Sequence, residues 1–111
     1  MDGRKGEVMR KILYSPGYGA GWTSWCHGPK EEKLFMLEYK PFIEIIENGN
    51  EITEKDIERF NDDFREKFPE AEFDPYTGGV EQLQVYETDG VVRIEEYDGS
   101  ESVHESYDDW M

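Results

Sequence analysis

The chain has 111 residues and sets 27 acidic side chains against 12 basic ones, a formal net charge of -15. That length fits one domain and excludes a two-domain enzyme. Hydrophobic and charged residues stand at 36% and 35%, a balance that alone would suit a disordered tail, but aromatics at 14% argue for a folded domain with an acidic surface.

Residues 1–8, Met-Asp-Gly-Arg-Lys-Gly-Glu-Val, read as a flexible leader, and residues 9–111 as a single domain. Arg10 to Tyr14 is a short apolar run with a β-branched residue and an aromatic, stopped by Ser15-Pro16-Gly17, and predicts a first strand. A glycine-rich loop follows, Gly17-Tyr18-Gly19-Ala20-Gly21-Trp22-Thr23-Ser24-Trp25, and leads into Gly28-Pro29, where the proline suits a helix start. Phe35, Tyr39, Phe42 and Ile46 recur at helical steps, interrupted by Pro41, which predicts a kink or two short helices meeting at Lys40–Pro41. Asn48-Gly49-Asn50 ends that segment.

Thr53 with Asp56 three residues on forms a capping pair, and Ile52 with Ile57 a hydrophobic staple, so a helix begins at Thr53. Its apolar stripe is Ile57, Phe60, Phe64 and Phe68, its outer face carries the Arg59/Asp63 and Asp63/Lys67 pairs, and Pro69 closes it. Beyond Asp74-Pro75-Tyr76-Thr77-Gly78-Gly79, Val80 to Glu87 alternates with a period of two and predicts a strand. Thr88-Asp89-Gly90 is a hairpin signal, with Val91 to Tyr97 as the return strand. Asp98-Gly99-Ser100-Glu101 turns again, Ser102 to Glu105 adds a short edge strand, and Trp110 packs down onto the domain.

This order reads as an α+β fold: a small antiparallel or mixed sheet of three to four strands with two helices packed on one face. If the first strand pairs antiparallel to the Val80 strand, the loops after Tyr14, before Val80 and after Tyr97 gather at one end of the sheet. Tyr18, Gly19, Gly21, Trp22, Trp25, Tyr76, Gly78, Tyr97 and Asp98 are then candidate ligand-binding residues, since glycines let a backbone approach a ligand and rings stack on bases or sugars. The plainer reading is that the glycines make tight turns and the rings plug the end of a small core. The loop lacks the spacing of a dinucleotide fold or a P-loop, and no Lys or Arg in these loops would hold a phosphate.

Charge grows more negative along the chain. Residues 1–40 hold seven basic and five acidic side chains, residues 41–80 four and twelve, and residues 81–111 one and ten. A chain so balanced gains no counterion-release energy on phosphates, which argues against direct nucleic-acid binding, and anionic membranes are disfavoured likewise. It favours fast association with a basic surface, or simply solubility. Cys26 is the single cysteine, so no intrachain disulfide forms and a reducing compartment fits. The longest aliphatic, aromatic or Met run, Leu34 to Leu37, is far too short to span a bilayer.

Cys26-His27 is a weak basis for metal or thiol chemistry, because zinc would need carboxylates to complete its shell; no metal and no cofactor are expected. His104 reads as a surface histidine. Glu95, Glu96, Asp98 and Glu101 are close in sequence, as chance alone allows among 27 acids, and no Ser/His/Asp set or metalloprotease motif is present.

The runs Ile12 to Trp25, Tyr76-Thr77-Gly78-Gly79 and Arg93 to Glu101 resemble small, mostly uncharacterised acidic proteins encoded by bacteriophages and prophages, a likeness covering most of residues 10 to 105. The resemblance implies a phage setting, in the cytoplasm of a bacterial host, and brings no activity or catalytic residues with it. The function expected is that of a non-enzymatic, phage-encoded inhibitor engaging a basic, nucleic-acid-binding surface of a host protein. Glu54, Glu58, Asp62, Glu66 and Glu95 are the candidate contacts, placed where phosphates would stand in a nucleic acid. The alternative is a small-ligand or nucleotide-sequestering protein that uses the glycine and aromatic loops. Monomer and dimer are both compatible with the sequence.

Overall fold

A computed structural model describes residues 10–17, 21–72, 74–88 and 91–106. Within them lie β1 (Arg10–Tyr14), α1 (Lys30–Leu37), α2 (Lys40–Glu47), α3 (Glu54–Lys67), β2 (Gln84–Thr88), β3 (Val91–Tyr97) and β4 (Ser100–Ser106), with single 3-10 turns at Thr23–Trp25 and Val80–Gln82. The class is α+β. The expected leader and Trp110 lie outside the described residues.

Each helix boundary has a local cause. Pro29 caps α1 rather than opening it, its carbonyl accepting the N–H groups of Glu32 and Lys33. The Pro41 interruption yields two helices, but the break falls at Glu38–Tyr39. Lys40 is already helical, because Pro41 sits in the first turn of α2, where no N–H is required of it, and the extended residue is Tyr39. The end of α2 is a Schellman motif: Gly49 has φ 78°, its N–H reaches the Ile46 carbonyl, and that of Asn50 reaches Ile45. Thr53 caps α3 in a reciprocal box with Asp56, as the sequence predicts. The Arg59/Asp63 pair forms at 3.6 Å. Asp63 also accepts a 2.5 Å hydrogen bond from the Tyr39 phenol, which burial, together with that carboxylate, pushes to a higher pKa.

The strands depart from expectation in their pairing. β1 pairs antiparallel with β2, Ile12 opposite Tyr86 and Leu13 opposite Val85, and β3 pairs antiparallel with β4, Ile94 opposite Val103. The four strands form two separate two-stranded sheets, not one; β2 and β3 are not paired with each other among the described residues, and Asp89 and Gly90 of the expected hairpin lie outside those residues. A hairpin lies one turn later. Asp98 (φ 55°) and Gly99 (φ 86°) form the two-residue turn whose twist matches its strands, so β4 is longer than the Ser102–Glu105 edge strand expected. The segment Val80–Gln82 is a 3-10 turn rather than strand, which brings both Val80 and Leu83 into the core.

Burial explains this arrangement. Side chains alternate across a strand, and both faces of β1 are apolar. Leu13 joins Trp22, Met36, Phe42, Phe60 and Phe64 in the larger core, while Ile12 joins Leu37, Val92 and Ile94 in a second one. Had β3 extended the first sheet edge to edge, Ile12 and Leu37 would lack the cover that Val92 and Ile94 supply. The larger core is largely aromatic: the Phe60 ring lies 4.9 Å from Tyr39, 5.2 Å from Trp22 and 5.3 Å from Phe42 between centroids. Among the described residues, no helix is long and apolar enough to cross a membrane.

Candidate functional site

The β1–β2 pairing brings the three loops together. Ser100 Oγ donates to the Pro16 carbonyl at 2.7 Å, and the Glu101 N–H to the Ser15 carbonyl at 2.7 Å. Gln82 lies against Gly17, and the Trp25 and Tyr76 rings meet at 5.0 Å.

The residue that ties them is Glu101, in which the sequence shows only a member of a turn. Its carboxylate is buried, 2% exposed. One oxygen accepts the Ser15 N–H at 3.0 Å; the other accepts the Trp22 N–H at 2.6 Å, the Ser24 N–H at 2.9 Å and the Ser24 hydroxyl at 2.5 Å. None of these partners is a cation, so backbone dipoles and the Ser24 hydroxyl compensate the buried acid. The adjacent hydroxyls of Ser15 and Thr23 are also buried, without a hydrogen-bond partner among the described residues. On β3, Glu96 stands opposite Glu101 and accepts from Gly99 N–H and, at 3.2 Å, from the Trp25 indole. The hairpin therefore delivers two carboxylates to the glycine loop. No sequence signal separates Glu101 from the other acids around it; only the register does.

The candidate ligand residues divide. Tyr18 and Gly19 lie outside the described residues. Trp22 is fully buried between Phe42 and Phe60, and its indole donates to the Met36 carbonyl at 2.9 Å, so that ring belongs to the core. Gly21 and Gly78 serve as seats: a side chain on Gly21 would strike the Trp25 ring at 2.6 Å, and one on Gly78 would strike Tyr76. Tyr97 is exposed at the end of β3, and Asp98 occupies the hairpin turn. Trp25 and Tyr76, with Ser24, His27, Asp74 and Pro75, line a hollow of about 540 Å³.

Cys26 is half-buried, and burial pushes its thiol pKa up, which disfavours the thiolate. Among the described residues no three His, Cys, Asp or Glu side chains are grouped as a metal site would need. His104 is exposed, 3.4 Å from Glu95.

The acidic candidates lie elsewhere. Glu54, Glu58, Asp62 and Glu66 are exposed along α3, one per turn, over about 18 Å. None is in an ion pair among the described residues. The arginines of the same helix are held by other carboxylates, Arg59 by Asp63 and Arg65 by Asp74, while Lys55 and Lys67 stand on the neighbouring row. Glu95 differs: Arg93 pairs with it at 2.7 Å, leaving it less available to a partner.

A second hollow, of about 870 Å³, lies where α1, the start of α2 and α3 meet, floored by Leu34, Phe35 and Phe68 and rimmed by Glu31, Glu38, Asp63, Lys40 and Lys67.

No protein-family model matches the chain, and no curated protein or solved structure is significantly similar to it.

Proposed function

We propose that the chain is a non-enzymatic acidic binding protein that engages a basic, nucleic-acid-binding surface of another protein, a host protein if the phage setting holds. The observation that carries this reading is the α3 row. Four carboxylates stand in solvent at one-turn spacing, and the helix's own arginines are turned to other acids. Like charges at i,i+4 repel, so the row is no aid to the helix, whereas it suits a surface evolved to meet phosphates. With a net charge of -15, the whole chain attracts such a surface and repels nucleic acid itself.

The test uses the basic, heparin-retained protein fraction of a bacterial lysate, passed over the immobilised chain. The expected result is retention of discrete proteins at low salt, release as ionic strength shortens the Debye length below about 8 Å, and displacement by duplex DNA. Glu58→Lys, Asp62→Lys and Glu66→Lys together should abolish retention while the circular dichroism spectrum holds. Retention unchanged in that variant would overturn the reading.

A further inference from the structure

We infer that the Trp25–Tyr76 hollow is a binding site for a cationic nitrogen group, a guanidinium or alkylammonium. The site is built rather than incidental. The two rings meet at 5.0 Å with planes inclined by 59°, and each is seated on a glycine that no other residue could replace without moving the ring. The Trp25 indole N–H is fixed on Glu96, which uses the ring's positive edge. The ring also lines the hollow, and a cation within about 6 Å of an aromatic face is attracted to its negative π-cloud.

Two carboxylates, Asp74 and Glu96, stand at the hollow. Asp74 lines the hollow and gives one oxygen to Arg65 at 2.6 Å, leaving the other outside that pair. Glu96 lies one hydrogen bond from Trp25, and no Lys or Arg lines the hollow among the described residues. An anion such as a nucleotide phosphate is poorly served here. The amides of Ser15, Trp22 and Ser24, which would otherwise cradle it, are already taken by Glu101. The site shares no residue with the α3 row, so it stands if the reading of that row fails.

The test is a titration followed by the indole N–H resonance of Trp25 in the ¹⁵N-labelled protein, at constant ionic strength. The probes are N-acetyl-arginine amide, tetramethylammonium and AMP. The expected result is a saturable shift with either cation and none with AMP. Tyr76→Leu, at a residue 37% exposed, should weaken cation binding by about threefold or more, with the buried Trp22 indole resonance reporting an intact fold. Trp25→Leu, followed by calorimetry, should weaken it further. A short arginine peptide binding more tightly than the amide assigns the cation to a protein partner; tetramethylammonium binding tightest assigns it to a free quaternary amine. Shifts no larger than those from sodium chloride, preferential binding of AMP, or affinity unchanged in both variants would overturn the proposal.

Discussion

Replacing Glu101 by alanine removes the acceptor of three backbone N–H groups and one hydroxyl in a place that is 2% exposed. A buried donor left without a partner costs about 1–3 kcal/mol. Three at the lower bound give about 3 kcal/mol, since water entering the space left by the side chain relieves part of the loss. For a chain of this size each kcal/mol lowers Tm by about 4–6 °C, so differential scanning calorimetry should show a fall of about 12–18 °C. Glu96→Ala, which removes an exposed carboxylate with two donors, should cost about 1 kcal/mol or less. Formate or acetate at high concentration should restore part of the loss in Glu101→Ala and nothing in the wild type, because a small carboxylate fits the same amides. Hydrogen exchange at the Trp22 and Ser24 amides should rise in the variant before that of α3. A Glu101→Ala protein within about 1 kcal/mol of wild type would refute the idea that this carboxylate holds the loops together.

Four further outcomes follow from the same geometry. Thr23→Val replaces a buried hydroxyl that has no partner among the described residues by a methyl group, and should raise stability by about 1 kcal/mol in urea unfolding; a loss would show that the hydroxyl is satisfied in solution. Gly49→Ala, with open space around it but φ 78°, should cost about 1 kcal/mol from backbone strain alone. The Thr53 N–H and hydroxyl hold the Asp56 carboxyl below its ordinary value of 3.8, so its contribution is present above that pH and lost as pH falls through the lowered value. The Tm gap between wild type and Asp56→Asn should therefore be widest near neutral pH and close under acid, and a gap independent of pH would sink the capping argument. Glu58→Gln, Asp62→Asn and Glu66→Gln together should leave Tm unchanged or slightly higher, since they relieve i,i+4 repulsion; a marked fall would mean that the row stabilises the helix.

Elements governed by neighbours in sequence were legible. The Thr53 cap, the Phe60/Phe64 stripe, the Gly49 stop and the end of β1 at Tyr14 all follow from local chemistry, and they stand where the sequence puts them. The antiparallel β1–β2 pairing, posed from the sequence as a condition for the loops to meet, is the one observed. The failures share a cause. The expected single sheet is instead two, and what sets β3 and β4 apart from β1 and β2 is burial of Ile12 and Leu37 by Val92 and Ile94, contacts distant in sequence. Val80 reads as strand because alternation cannot be distinguished from one 3-10 turn over so few residues. Glu101 is invisible for a similar reason: its importance lies in three amides 77 to 86 positions away.

The glycines of the Gly17–Trp25 loop invite a ligand reading because bare backbone can bind an anion, yet here an anion is already in place and belongs to the chain. Glu101 accepts the Ser15, Trp22 and Ser24 amides, and its position next to a tight hairpin turn fixes it there. This turns the same loop toward the opposite charge. With the Trp22 and Ser24 amides taken, the loop offers a ring, Trp25, whose edge is held by a second carboxylate and which lines the hollow. Two features with no residue in common, the α3 row and this hollow, then favour a ligand of the same sign. If both act, salt should weaken the contact of the row far more than that of the hollow, since exposed charges are screened within about 8 Å while a ring face in contact with a cation is not. Capture of a basic partner that persists at high salt in the wild type but is lost with Tyr76→Leu would locate the residual contact at the hollow. Capture lost at high salt in both would leave the row alone to account for it.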